Sequence, residues 1–354
     1  MTRQWRKRDV GNGCQKIPEN KGEQEMENEK TFFDSMQRDI MNADMSESEK
    51  NKLMNNFLLL KEQKINLMIT GATGCGKSST INALFNTEVA KVGVGVAPET
   101  MEIQKYELNN LVLWDSPGLG DGKEADNRHA KNIIKKLNEK DKDGNLLIDL
   151  VLVILDGSTR DLGTSYELIN QVIIPNLGKD KEKRILVAVN QADVAMKGRY
   201  WDYENNKPEP QLVKFLEEKV DSVRKRIKEA TGIDTEPIYY CAGYKEGTEQ
   251  NPPYNLSKLL YYIVKYTPKE KRLSYVDNIN RNTEMWKDND ELKDYQTGIL
   301  GEFKESISEC VGLGATIGSG IGGSLFGAPG RVVGGLIGGI GGLAVGFIKG
   351  IFGF

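Results

Sequence analysis

Apolar positions along this chain follow two periods, and the switches between them mark its elements. From Thr31 to Leu60 they recur at helical spacing, as Phe32, Phe33, Met36 and Ile40, then Leu53, Phe57 and Leu60. Ser46 followed by Glu49 is a capping-box pattern that starts the second of two helices. Both are expected to pack on the domain that follows. Between 65 and 268, short apolar runs alternate with amphipathic stretches. Strands are predicted at 65–70, 101–108, 111–115, 150–155, 184–190 and 237–240, and helices at 77–84, 124–139, 165–174 and 211–230. This alternation builds an α/β domain with a doubly wound, mostly parallel six-stranded sheet and helices on both faces. Only Asn109 and Asn110 separate the second and third strands, which predicts a hairpin and one antiparallel edge.

The flanks read differently. Residues 1–30 are rich in Lys, Glu, Asn and Gln and are expected to be disordered. The pattern assigns 31–61 to a helical extension, 62–268 to the α/β domain and 269–310 to a charged, exposed, helical linker. From 311 to 354 the chain holds 17 glycines and only two charges, Arg331 and Lys349. Glycines fall at every fourth position, at 314, 318 and 322 and again from 330 to 350, which puts them on one helix face. Ala328-Pro329-Gly330-Arg331 reads as a turn, so the tail is predicted to be a helical hairpin of 311–327 and 332–348. Each mid-helix glycine costs about 1 kcal/mol relative to alanine in water, whereas a bilayer enforces the helix. A glycine-zipper membrane hairpin is therefore the favoured reading. Buried self-association helices and disordered low complexity are its alternatives.

Composition narrows the chemistry. With 48 basic and 51 acidic residues the net charge is -3, so nothing global draws the chain to nucleic acid. Cys14, Cys75, Cys241 and Cys310 lie far apart with no CxxC spacing, which fits a reducing cytosol. The basic N-terminus continues into polar residues, so no secretory signal is expected. A single histidine, His129, removes histidine metal clusters and Ser-His-Asp catalysis from consideration.

Four motifs carry chemistry. Gly71-Ala72-Thr73-Gly74-Cys75-Gly76-Lys77-Ser78 matches GxxxxGK[ST] between a predicted strand and helix. Its glycines let backbone N–H groups wrap phosphates at the positive end of the helix. Lys77 would neutralise the β- and γ-phosphates and Ser78 would ligate Mg²⁺. Asp115-Ser116-Pro117-Gly118 ends the third strand, where Asp115 can hold Mg²⁺ through water and the Gly118 N–H can sense a γ-phosphate. Asn190-Gln191-Ala192-Asp193 follows the fifth strand. The Asp193 carboxylate can accept from guanine N1–H and the exocyclic amine together, a pair that adenine lacks. In Cys241-Ala242-Gly243, the Ala242 N–H can reach guanine O6.

In this order GATGCGKS, DSPG, NQAD and CAG resemble the Era-type branch of bacterial translation-factor-related P-loop GTPases, over roughly 62–268. The resemblance implies a Ras-like fold, GTP or GDP with Mg²⁺ as cofactors, and nucleotide contacts from Gly74, Cys75, Gly76, Lys77, Ser78, Ser79, Asn190, Gln191, Asp193 and Ala242. It implies Mg²⁺ held by Ser78, Thr100 and Asp115, and catalysis resting on Lys77, Thr100 and Gly118. The chain departs from the pattern in four places. Gln191 replaces the usual lysine, and Cys241 and Gly243 replace serine and lysine. Gly74 stands where potassium-using relatives carry asparagine. Leu119 occupies the place of the water-orienting glutamine of Ras-like relatives, so slow hydrolysis is expected.

Arg160 is a candidate finger across a G-domain homodimer, set against a solvated loop arginine. The tail resembles glycine-zipper hairpins of bacterial membrane proteins. Together these features point to a GTPase switch in the cytoplasm at the inner face of a membrane, with lipid as a partner of 311–354. A ribosome- or RNA-associated assembly GTPase and a GTP-gated pore former remain the alternatives.

Overall fold

The computed structural model describes residues 31–85, 102–120, 122–243, 245–246, 249–250, 252–287, 289–319 and 346–353. The N-terminal 1–30, Thr100 with its glycine-rich loop, and 320–345 of the tail lie outside the described residues.

Six strands form the central sheet: β1 (Ile65–Gly71), β2 (Gln104–Leu108), β3 (Leu111–Asp115), β4 (Leu150–Asp156), β5 (Ile185–Asn190) and, after a small hairpin of β6 (Trp201–Asp202) and β7 (Lys207–Pro208), β8 (Ile238–Tyr239). Their order is β2-β3-β1-β4-β5-β8. β1, β3, β4, β5 and β8 pair in parallel, and the β2–β3 hairpin makes the antiparallel edge. Strand β1 is buried along its whole length, as a central parallel strand must be.

The strands' alternation divides the interior in two. Leu150, Leu152 and Ile154 of β4 belong to one apolar cluster, and Val151, Val153 and Leu155 to the other. The first cluster is covered by α1 (Phe32–Asn42), α2 (Glu47–Lys61), α3 (Lys77–Leu84) and two later helices, α7 (Leu256–Tyr266) and α8 (Tyr295–Ser319). The second lies under α4 (Lys123–Leu137) and α6 (Pro210–Thr231). Phe32, Met36, Ile40, Leu53, Phe57 and Leu60 are all buried, so α1 and α2 do pack on the domain. The Ser46–Glu49 capping box is present, and Thr31 with Asp34 forms a second one at the start of α1.

Three segments differ from the sequence pattern. The helix predicted at 165–174 is a short α5 (Gly163–Glu167) that widens into a π-helix at Leu168–Ile173 and ends in a 3₁₀ turn at Ile174–Asn176. Pro175 has no N–H to donate and its ring crowds the carbonyl four residues back, so a regular α ladder cannot run through it.

The expected exposed linker at 269–310 is only partly exposed. Lys269–Asn278 is a 3₁₀ segment in which Arg272, Leu273, Tyr275 and Val276 are buried. The Arg272 guanidinium pairs with Glu302 (2.7 Å) and Glu305 (2.9 Å) of α8, and Lys271 pairs with Asp149 (2.7 Å) below β4. The charges of Lys271 and Arg272 therefore face partners within the fold, and α8 runs across the expected boundary at 310 as far as Ser319.

The chain's end also folds back. Residues 346–352 are helical, with Ile348, Ile351 and Phe352 buried. Phe352 meets Trp286 edge-on at 5.8 Å, and Phe347 lies 6.2 Å from Phe32 with the Arg281 guanidinium 4.7 Å over its ring. No helix among the described residues is long and apolar enough to cross a membrane.

Candidate functional site

The loop between β1 and α3 lies at the carboxyl ends of the parallel strands, where doubly wound sheets open a crevice for ligands. Gly74 and Gly76 hold left-handed backbone (φ 79° and 89°), and a side chain at Gly76 would collide with the Asn190 amide. Lys77 opens α3 and its Nζ donates to Ala72 O at 3.1 Å, so the ammonium lies folded across the loop it would lend to a phosphate. Ser78 and Ser79 follow, half-buried, in the first turn of α3.

Asp115, at the end of β3, is 1 % exposed, and its Oδ1 has no hydrogen-bond partner among the described residues. Burial pushes its carboxyl up to about 6, against the opposing pull of the Lys77 charge and a hydrogen bond from Ser78. A buried carboxylate oxygen without a partner, beside a serine hydroxyl and a lysine, is the donor set a magnesium ion completes with phosphate oxygens and water. The residues present thus fit Mg²⁺, with Ser78 and Asp115 as its protein side. Among the described residues no three His, Cys, Asp or Glu side chains converge, so Mg²⁺ would depend on phosphate oxygens for the rest of its shell.

The strand ladder continues into the next motif. Ser116 N–H donates to Ile69 O at 3.0 Å, and its hydroxyl donates to Thr70 Oγ1 at 2.7 Å. Leu119 pairs in parallel with Ala72: its carbonyl accepts from Thr73 N–H at 3.0 Å, and its N–H points at Gly71 O at 3.4 Å. The Leu119 side chain is buried in the second cluster. Gly118 is pressed against the phosphate loop, where an added Cβ would lie 2.6 Å from both Cα and N of Thr73. Gly118→Ala is therefore expected to overpack this contact at about 1–3 kcal/mol. That lowers the melting temperature of the nucleotide-free chain by roughly 2–10 °C in thermal unfolding.

On the base side, Asn190 joins the motifs that sequence reading treated separately. Its Nδ2 donates to Cys75 O (3.0 Å), while its Oδ1 accepts from Ala242 N–H (3.0 Å). The Ala242 N–H expected for guanine O6 is thus already engaged, and a base carbonyl would share it. Gln191, in left-handed backbone, donates from Nε2 to Gly74 O at 2.9 Å, so its amide braces the phosphate loop. The Cys241 thiol donates to Asp193 Oδ1 at 3.1 Å and takes the place of a serine hydroxyl. Burial, then the Asp193 charge, push that thiol well above its ordinary range. Lys219 of α6 braces the loop after β4, with Nζ donating to Gly157 O (2.7 Å) and Thr159 O (2.5 Å). Nothing in the spacing of Lys219 marked it for this. Arg160 is exposed on the same loop.

The crevice thus unites the phosphate loop, Asp115, Gly118, Asn190, Asp193 and Ala242. Residues 66–191 match the family model described as a 50S ribosome-binding GTPase. The segment is a P-loop GTPase domain. The uncharacterized protein YkfA of Escherichia coli (strain K12) is 28% identical over 157 residues, 43% of this chain and 50% of that protein. Interferon-inducible GTPase 1 of Mus musculus is 44% identical over 62 residues, 16% of this chain and 15% of that protein. The chain spans half or less of the length of these curated relatives. The solved structure of Era with MgGDPNP and a 16S ribosomal RNA segment is 20% identical with a TM-score of 0.40, covering 58% of each chain. The sheet order and helix placement of this GTPase domain are those of the Ras-like fold.

Proposed function

We propose that this chain is a GTP-binding switch that hydrolyses GTP slowly with Mg²⁺, and that its glycine-rich C-terminal region attaches it to the cytosolic face of a membrane. The observation that carries the nucleotide reading is the buried Asp115 Oδ1, without a partner among the described residues, beside Ser78 and Lys77 in the crevice that also holds Asp193. Lys77 neutralises phosphate charge, Ser78 and Asp115 hold the Mg²⁺, and Asp193, steadied by the Cys241 thiol, reads the base. Bound Mg²⁺ supplies charge stabilisation at the β- and γ-phosphates. Hydrolysis is slow because Leu119 is buried and carries no group that orients or deprotonates water.

The membrane reading rests on the uncharged runs 311–327 and 332–348 and on the glycine period along them. At the chain's end, Phe347 and Phe352 pack on Phe32 and Trp286. Truncation before the tail would strip that cover, so the cleaner change replaces 320–345 with a Gly/Ser linker of the same length. Flotation with liposomes is measured in GDP and in a non-hydrolysable GTP analogue. The intact chain is expected to float and the linker chain to stay at the bottom with unchanged GTP affinity. Equal flotation of both chains would place the anchor elsewhere. Cosedimentation with ribosomes instead of liposomes would favour the assembly reading, and dye release would turn anchoring into perforation.

A further inference from the structure

The chain's single histidine has a place that the nucleotide site leaves unexplained. His129 lies on α4, is 1 % exposed, and faces Gly118 O with Nδ1 at 3.1 Å. Its Nε2 is buried with no hydrogen-bond partner among the described residues. Those two facts assign the proton: facing a carbonyl, Nδ1 must be the donor, and in the neutral ring Nε2 is left as an acceptor with no partner among the described residues. A buried polar atom without a partner is a cost, and phenylalanine or leucine would fill the same apolar space without it. Packing alone therefore does not account for a histidine here.

One turn earlier on the same face of α4, Asp126 Oδ1 accepts from Gly120 N–H at 2.9 Å. Residues three apart on a helix share a face, so α4 grips the loop 118–120 at two points, a carbonyl and an N–H. Between them Leu119 is stitched by its own backbone to Gly71 and Thr73 of the phosphate loop. Gly118 has no side chain with which to define its orientation, and its Cα is wedged against Thr73. The direction of its peptide groups must be set from outside, and the His129 Nδ1–H is the group that holds its carbonyl.

We infer that His129 is a positioning residue for the γ-phosphate response: by holding the Gly118 carbonyl on α4 it fixes the Gly118–Leu119 peptide, and with it the place of the Gly118 Cα, from which the N–H of the preceding peptide meets the phosphate crevice. The helix and the phosphate-sensing glycine are thereby coupled, so occupancy of the γ-position is felt along α4. This rests on the GTP reading of the site given above. It concerns only the discrimination between triphosphate and diphosphate, because GDP has no group for the Gly118 N–H to meet.

The test uses the full chain and two substitutions of opposite design. His129→Asn places an amide N–H near the position of Nδ1–H, and His129→Leu keeps apolar bulk without a donor. Affinities for GDP and for a non-hydrolysable GTP analogue are measured with Mg²⁺, together with the single-turnover hydrolysis rate. His129→Leu is expected to lower the preference for the analogue over GDP about 10-fold, the scale of one buried hydrogen bond, with GDP affinity unchanged. His129→Asn is expected to restore most of that ratio and of the hydrolysis rate. An unchanged or increased ratio in His129→Leu overturns the inference. So does a loss shared equally by both nucleotides, or a failure of His129→Asn to restore the ratio at unaltered melting temperature. A wild-type chain that binds neither nucleotide would instead sink the GTP reading itself, and this inference with it.

Discussion

Lys77→Ala is expected to reduce affinity for GTP by about 10²–10⁴-fold, and for GDP, which lacks the γ-phosphate, by less; it is the largest effect on GTP binding of any single substitution in the crevice. Lys77 opens α3, and in the described structure its ammonium spends its donors on the carbonyls of Gly71 and Ala72. These bonds are to neutral acceptors within the loop and are exchanged for charged phosphate oxygens when nucleotide arrives. A hydrogen bond to a charged partner contributes about 1.5–3 kcal/mol, and two phosphates double it, which gives the stated range. The loop itself should survive, because its shape is set by Gly74, Gly76 and the Asn190 and Gln191 amides rather than by the lysine. Titration with a fluorescent GTP analogue measures the effect. Wild-type affinity in Lys77→Ala would mean that the loop is not the phosphate site. Ser78→Asn, by contrast, leaves the phosphate contacts and removes a hydroxyl beside the Asp115 oxygen, so Mg²⁺-dependent GTP binding should suffer more than GDP binding.

The second large effect concerns base choice. Asp193→Asn is expected to weaken GTP binding about 10²-fold and strengthen XTP binding by a similar factor, so that the ratio shifts by roughly 10⁴. The neighbouring thiol supplies the reason that the substitution should act cleanly. Cys241 donates to Asp193 Oδ1, and burial keeps the thiol protonated. An asparagine must therefore present its oxygen to Cys241 and its NH₂ outward. That outward amide meets the O2 of xanthine favourably and the exocyclic amine of guanine unfavourably. Competition between GTP and XTP for the same fluorescent probe reads the ratio directly. If Asp193→Asn keeps the wild-type preference, the base is read elsewhere. Loss of both nucleotides together would point to a collapse of the loop around Asn190 and Ala242.

What the sequence by itself determined are the features whose physics is local. Apolar alternation marked β1, β3, β4 and β5, and two asparagines marked the antiparallel β2–β3 turn. The glycine spacing of the phosphate loop is legible because left-handed backbone at Gly74 and Gly76 demands it. Asp115, Asn190 and Asp193 are legible because parallel strands end at one edge of the sheet, so a motif after each strand arrives at the same crevice. Tertiary structure alone decided the rest. The charges of 269–310 suggest an exposed linker, yet Arg272 is buried because Glu302 and Glu305, some thirty positions away, neutralise it. The composition of the tail suggests a membrane segment throughout, yet Phe347 packs on Phe32 and Phe352 on Trp286, while Ile348 and Ile351 are buried in the first cluster. His129, discounted as a lone histidine, acquires meaning only when α4 packs beside Gly118. Local spacing encodes backbone shape, but the worth of a charge or a ring is set by the neighbour that folding brings, and that neighbour is distant in the chain.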